Sequence, residues 1–507
     1  MELEFTKTDI SHYDLVYDTV CSREETLEMI VPDACPDIVQ VADTYGFCVL
    51  SRREMTDSGA MLAGRVKVTI LYLPEGSSGL RRLEAELPFQ HMTECASVDS
   101  GCRLLAGADV VTAETRMINP RKILLRVDLH ERIQVYRPET MSLCSGLEAE
   151  ESLGLQQRVE HYQASCTLSC AEKEFPFEEN LTLPGGRSTA AVLRLQPNVY
   201  CSESRLIGSK LVVKGGVLLH LLCQGEEGEL YTADFDLPFS QMLESGGAGE
   251  EAMFQLFLQV LDWQLGELSP DGRSISVSLE LAAQAVFYET LSAAMVTDAY
   301  STYFPVTMER KSWSFQRLTD SSVQRQVIRE FAALETSGVR TVCDSHLELG
   351  AVQPRLESDS FVLSVPVAAT VLYLDEAGQY RSLRHTFTVS LQQPAPQQGK
   401  ISCHCVPGRL EVLPAAAGVE LRGTVEFHTQ TRQLFSVEGL ARLELDTDHP
   451  LSHEGQPSVV LRRPEPGESL WELAKRYATT GQEICAANGI TEEQALGDQM
   501  LLIPRKR

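Results

Sequence analysis

The first residues in this 507-residue chain with the make-up for chemistry are two carboxylates four positions apart. Val31-Pro32-Asp33-Ala34-Cys35-Pro36-Asp37-Ile38 carries two Pro-Asp pairs, and Asp33 with Asp37 offers the residue types of a metal-binding or acid–base pair. Proline and aspartate are equally the residues of turns and helix starts, so Pro36-Asp37 is expected to open a short helical turn with the carboxylates as caps. A later, related stretch has Leu183-Pro184-Gly185-Gly186 in this place, which argues against a chemistry shared between the two. Cys166-x3-Cys170 and Cys403-His404-Cys405 hold metal-ligand types, but neither has a second ligand pair at zinc-like spacing. Along a strand, Cys403 and Cys405 would share one face. The eleven histidines are scattered, and His346, His404 and His428 share no spacing with cysteines or carboxylates that marks a triad. No GxxxxGK[ST], GxSxG, HExxH or EF-hand pattern occurs, and the SGGAGEE segment at 245–251 lacks the Lys-Ser or Lys-Thr of a phosphate cradle. No catalytic residue, metal or cofactor is expected, and the chain reads as non-enzymatic.

What must be positioned is therefore a binding surface, and the elements that would carry it are repeated. Residues 64–89 read as a hairpin: Val66, Val68, Ile70 and Tyr72 alternate with Lys67 and Thr69, Pro74 to Gly79 supplies a turn, and a second run ends at Leu87-Pro88-Phe89. The same hairpin returns at 215–239 and 365–389. Val66, Val217 and Val367 stand 151 and 150 residues apart (217 − 66 and 367 − 217). A period this long indicates tandem domains, since solenoid units run about 20–50 residues.

The composition is that of globular protein, 43% hydrophobic and 23% charged. A net charge of −27, from 71 acidic against 44 basic residues, repels phosphate backbones and anionic lipid, which excludes direct nucleic-acid binding as an expectation. The acidic start MELEFTKTDI has no signal-peptide character, and no apolar run suits direct membrane insertion. Fourteen scattered cysteines suit buried thiols in a reducing, cytoplasmic compartment.

The expected division is 1–152, 153–301 and 302–451 for three β repeats, 452–457 for a linker, and 458–507 for a C-terminal module. In the first repeat, Asn119-Pro120 separates an entering strand from a strand pair at 123–127 and 131–136, with the basic triplet Arg116, Arg121 and Lys122 guarding an edge. In the third, Val323, Val327, Ile328 and Phe331 fall at helical spacing and predict a short amphipathic helix over 321–333, while 392–398, with Pro394 and Pro396, predicts a loop.

The C-terminal module is more specific. Val459 to Leu461 makes a strand, Pro466-Gly467 a turn, and Ser469 an N-cap completed by Glu472 as a capping box. The helix that follows carries Leu470, Leu473, Ala474 and Tyr477 on one face. A second helix over 482–487 stops at Asn488-Gly489, an αL end, and 500–503 returns as a strand. The result is βααβ. Gly467-Glu468-Ser469-Leu470-Trp471, Leu473-Ala474, Asn488-Gly489-Ile490 and Leu501-Leu502-Ile503-Pro504 resemble the LysM domain. That resemblance implies a groove between the loop at 467–470 and the loop at 488–496 that binds N-acetylglucosamine chains, with Gly467, Glu468, Ser469, Leu470, Trp471, Asn488, Gly489 and Ile490 as its ligand- or partner-binding residues. Trp471 reads either as a packing residue on its helix or as a stacking platform.

The repeats resemble the SPOCS domain of endospore-forming Firmicutes in the Val31–Ile38 segment, the Ile70-Leu71-Tyr72 hairpin, the Leu-Pro-Phe ending and Asn119-Pro120-Arg121-Lys122. The expected fold is mainly β: three tandem sandwich- or barrel-like SPOCS-type repeats and a LysM domain. The resemblance implies a mother-cell cytoplasmic scaffold at the outer forespore surface, which binds the coat morphogenetic ATPase of the stage IV sporulation protein A type and self-associates. Glycan binding through the LysM groove is the alternative.

Overall fold

The computed structural model describes residues 1–76, 79–96, 98–184, 188–334, 338–395, 399–452, 454–465, 467–491 and 499–505. Ser77, Ser78, Gly185, Gly186, Pro396, Pro466 and the 492–496 part of the expected groove loop lie outside these residues. The chain is mainly β, with several separate sheets and a small C-terminal α/β region.

The first repeat runs β1 (Phe5–Ile30), β2 (Ile38–Thr56), β3 (Gly59–Pro74), β4 (Arg81–Glu94), β5 (Arg103–Asn119) and β6 (Lys122–Leu147). The second follows the same order with β7 (Leu155–Thr182), β8 (Thr189–Ile207), β9 (Lys210–Gly225), β10 (Leu230–Glu244), β11 (Met253–Leu268) and β12 (Ser274–Ser301). The third begins with β13 (Val306–Ala333), β14 (Val339–Leu349), β15 (Gln353–Glu357) and β16 (Ser360–Asp375). It closes with β17 (Tyr380–Pro394), β18 (Gly399–Pro407), β19 (Glu411–Ala415) and β20 (Gly418–Leu445).

In each repeat one sheet faces another, and the first two repeats share a six-stranded sheet, β11-β12-β7-β1-β6-β5, joined at Tyr13↔Thr167. In the first, β2-β3-β4 packs on β1, β6 and β5, so that Val66, Val68 and Ile70 meet Ile123, Leu125 and Val127 in one core. Each such fully buried aliphatic side chain contributes ~1.5–3 kcal/mol. The alternation in β3 does not mark a solvent face, however. Lys67 reaches Asp262 of β11 at 2.6 Å, and Leu71 is fully buried against the other repeats.

Three local expectations are corrected. The strand pair at 123–127 and 131–136 is one continuous strand, β6, paired with β1 along its length. Residues 321–333 are strand and not helix, because β13 pairs with β20 from Val306↔Leu445 to Ala333↔Gly418. Val323, Val327 and Phe331 are spaced by four, which satisfies period two as well as period 3.6, and all three lie on the exposed face. Gln392 to Pro394 belong to β17, not to a loop.

The repeats converge on a common axis. Ala42, Leu193 and Cys343 keep the spacing of 151 and 150 (193 − 42 and 343 − 193), as do Leu71, Leu222 and Leu372, and all six share one buried cluster. Asp43, Arg194 and Asp344, the next positions along, meet there too. At the other end Tyr136, Tyr288 and Arg432 each stand fourteen residues beyond the start of β6, β12 and β20, and Arg432 Nη2 donates to Tyr288 OH at 2.7 Å. The three repeats therefore close around one another as a pseudo-threefold assembly within one chain.

Candidate functional site

The C-terminal module consists of β21 (Val459–Arg462), α1 (Leu470–Arg476), α2 (Gly481–Asn488) and β22 (Leu501–Pro504), with β21 and β22 antiparallel. Ser469 caps α1: its hydroxyl accepts from Glu472 N at 3.2 Å, and Glu472 Oε2 accepts from Ser469 N at 2.8 Å. Thr480 and Glu483 form a second capping box on α2, which the sequence reading missed although Thr-x-x-Glu is its signature. Gly489 ends α2 at φ 65°, a left-handed conformation that favours glycine. Asn488 ties that end to β22: Nδ2 donates to Ile484 O at 2.8 Å and Leu502 O at 2.6 Å, and Oδ1 accepts from Leu502 N at 2.7 Å.

The eight candidate groove residues divide by position. Gly467 (φ 85°) and Gly489 are exposed. Ser469 and Asn488 hold helix ends. Glu468 is nearly enclosed, paired with Arg462 at 3.2 Å and Arg476 at 2.9 Å, and it accepts from Glu465 N at 3.0 Å. Leu470, Trp471 and Ile490 pack against the module core of Leu473, Ala474, Ile484, Leu501 and Ile503.

That core also contains Tyr300 of β12. The Trp471 ring meets Tyr300 edge-on at 4.9 Å, and Tyr300 OH donates to Thr479 O at 2.8 Å. Trp471 Nε1 donates to Asp298 Oδ2 at 2.8 Å, and Lys475 Nζ reaches both Asp298 oxygens at 2.7 Å. Burial alone would raise the Asp298 carboxyl, but the hydrogen bonds from Lys475 and Trp471 outweigh it and hold the group below its usual value. The module is thus docked on the second repeat, with Trp471 committed to the joint. Asp298 and Tyr300 carry no local signal, being 173 and 179 residues from the groups they contact.

The other chemical candidates take structural places. Asp33 and Asp37 do not cap a helix: the segment before β2 is a turn, and each carboxylate pairs with Arg121 at 3.1 Å. Arg121 also donates to Cys35 O and Val31 O, so the two Pro-Asp pairs wrap around the arginine of Asn119-Pro120-Arg121-Lys122. Lys122 pairs with Glu28 at 2.5 Å. Cys403 and Cys405 share one face of β18 and pack against the third repeat's core, while Cys166 and Cys170 are set in β7 with thiols that burial pushes up.

Residues 465–504 match the LysM domain family. No curated protein and no solved structure matches the chain. The match supports binding of peptidoglycan or a related glycan by the module. No helix among the described residues is long and apolar enough to cross a membrane.

Proposed function

We propose that the chain is a non-catalytic scaffold in which three β repeats hold a LysM module out for recognition, acting in endospore coat assembly. It works in the mother-cell cytoplasm at the forespore surface, where the module and the repeats recruit the coat-basement ATPase of the stage IV sporulation protein A type, and copies of the chain self-associate. The observation that carries the scaffold reading is the docking of the module on β12: Trp471, Lys475 and Tyr300 fix its orientation while Gly467 and Gly489 stay exposed. The assignment to coat assembly rests on the resemblance of the repeats to the SPOCS domain. The LysM match favours a second reading, recognition of cortex or cell-wall glycan by the same groove.

A pull-down from sporulating-cell lysate separates these readings. The full chain is expected to capture the ATPase, and a chain ending at Pro457 is expected to lose it. Capture that survives truncation moves the partner site onto the repeats. Capture by neither bait, with chitin oligomers binding the full chain, replaces the scaffold reading with the glycan one.

A further inference from the structure

Closure of the repeats leaves a cavity of about 1590 Å³ on their axis, between the Asp43–Arg194–Asp344 cluster and the Tyr136–Tyr288–Arg432 layer. In the first two repeats β2, β5, β8 and β11 run unbroken past it. In the third the corresponding strands are interrupted, β14 from β15 at Gly350-Ala351-Val352 and β18 from β19 at Gly408-Arg409-Leu410, and these six residues line the cavity. The Arg409 side chain there is 75% exposed, so the interruption is the mouth.

The wall carries polar groups that the fold does not satisfy. Arg132 Nη1 is buried without an acceptor, its guanidinium lies 4.2 Å from the centre of the Phe257 ring, and among the described residues no carboxylate pairs with it. Asp109 has no hydrogen bond or ion pair among the described residues, although Arg132 and His130 lie close enough for their charges to act on it. Asp109 is exposed, and it lines the cavity wall. His346 is 4% exposed, with Glu348 4.0 Å from Nε2 but neither ring nitrogen hydrogen-bonded among the described residues, and Gln259 Oε1 is also without a hydrogen bond. Buried polar groups are ordinarily satisfied, so orphaned atoms of Arg132, Gln259 and His346 along one cavity wall point to a missing partner.

We propose that this cavity binds a small zwitterion of the amino-acid or short-peptide class, with its carboxylate on Arg132 and its ammonium on Asp109. A guanidinium stacked on an aromatic ring presents its fork to a planar anion. In the β5–β6 register Gly107 faces Arg132 and Asp109 faces His130. Asp109 and Arg132 are thus diagonal neighbours on one face, their positions in the sheet roughly 7–8 Å apart. That span suits the two ends of an amino acid or dipeptide. A Cβ at Gly107 would lie 3.2 Å from Gln259 Oε1 and 3.3 Å from Arg132 Nη2, so glycine preserves the space between them. His346, whose imidazole burial pushes down to about 4, is neutral near pH 7 and lines the same cavity.

Calorimetric titration of the full chain with L-alanine, L-glutamate and L-alanyl-L-alanine, alongside the N-acetylated and C-amidated dipeptide, tests this. At least one free form is expected to bind, and either cap to weaken binding about tenfold or more through the lost charge-assisted contact. Arg132→Gln is expected to abolish discrimination against the C-amide alone, and Asp109→Asn discrimination against the N-acetyl form alone. The capped ligands make the decision on the unsubstituted chain, so a folding defect in either variant cannot hide it. No binding at millimolar ligand, or equal affinity for free and capped forms, overturns the proposal.

Discussion

The three repeats meet twice along one axis, and the two meeting places treat charge in opposite ways. At the Arg194 end the guanidinium is fully buried and satisfied: Nε donates to Asp344 at 3.0 Å, Nη1 to Asp43 at 2.6 Å, and Nη2 again to Asp344. His220 bridges Asp344 at 2.7 Å and Asp234 at 2.5 Å, and Arg409 pairs with Asp234 at 2.6 Å. One residue from each repeat contributes to the central triad. In the cavity beyond, Arg132, Asp109 and Gln259 Oε1 find no such partners among the described residues, and His346 has no hydrogen bond, only Glu348 at 4.0 Å. Charges that lock the repeats are neutralised inside the fold; those left over line a space with a mouth.

The comparison predicts unequal costs for two arginines. Arg194→Met leaves Asp43 and Asp344 buried without their cation and is expected to destabilise the chain by ~3–5 kcal/mol. Adding Asp43→Asn and Asp344→Asn to that variant should recover much of the loss, because the penalty lies in the uncompensated carboxylates. Arg132→Gln breaks no hydrogen-bonded ion pair, only the stack on Phe257 and a through-space attraction to Asp109, and should cost about 1 kcal/mol or less. Denaturant titration of the variants checks this, and similar losses for both arginines would erase the distinction between lock and wall.

A smaller effect separates the two places by pH. Burial would lower the His220 imidazole, but the bonds to Asp344 and Asp234 outweigh it and raise the group above 6.5. Its stabilising contribution is therefore fully present below pH 6.5 and is lost as pH rises through the raised value. His346 runs the other way: burial takes it from 6.5 to about 4, so its contribution is full above pH 6.5 and is lost as pH falls toward 4. Denaturation midpoints followed from pH 4 to 8 should lose the alkaline decline in His220→Asn and part of the acid decline in His346→Asn. A slope unchanged by either substitution would count against the role assigned to that histidine.

What was legible in the sequence was whatever is written locally. The hairpins at Val66, Val217 and Val367 announced themselves through alternation and a constant spacing, and the LysM module through Ser469, Glu472 and Gly489, each within a turn of what it caps. In β13 spacings of four fit a strand as well as a helix, and only pairing with β20, 85 residues away at Ala333↔Gly418 and more elsewhere, decides between them. The axis obeys the same repeat spacing, yet it was hidden because equivalent positions carry complementary residues instead of identical ones: Asp43, Arg194 and Asp344 could close a triad only by differing. The orphaned wall groups had no sequence signal, since being unpartnered is a property of the assembled fold.

The LysM joint is the intermediate case that sharpens the contrast. Asp298 is partnered as fully as Asp344, by Trp471, Lys475 and Arg310, but its side chain remains 17% exposed where Asp344 is wholly buried. Water can take over part of what its partners supply, so Asp298→Ala should weaken docking by about 1–2 kcal/mol, less than a sealed charge would cost. The loss should be local. Amide exchange should quicken in α1 and at the β21–β22 pair, and cleavage at 446–457 should increase, while the denaturation midpoint of the β repeats stays put. Tyr300→Ala removes the apolar half of the same joint and should have the same local signature. If exchange in α1 is unchanged by both substitutions, the module is not held by β12, and the fixed orientation on which the scaffold reading depends goes with it.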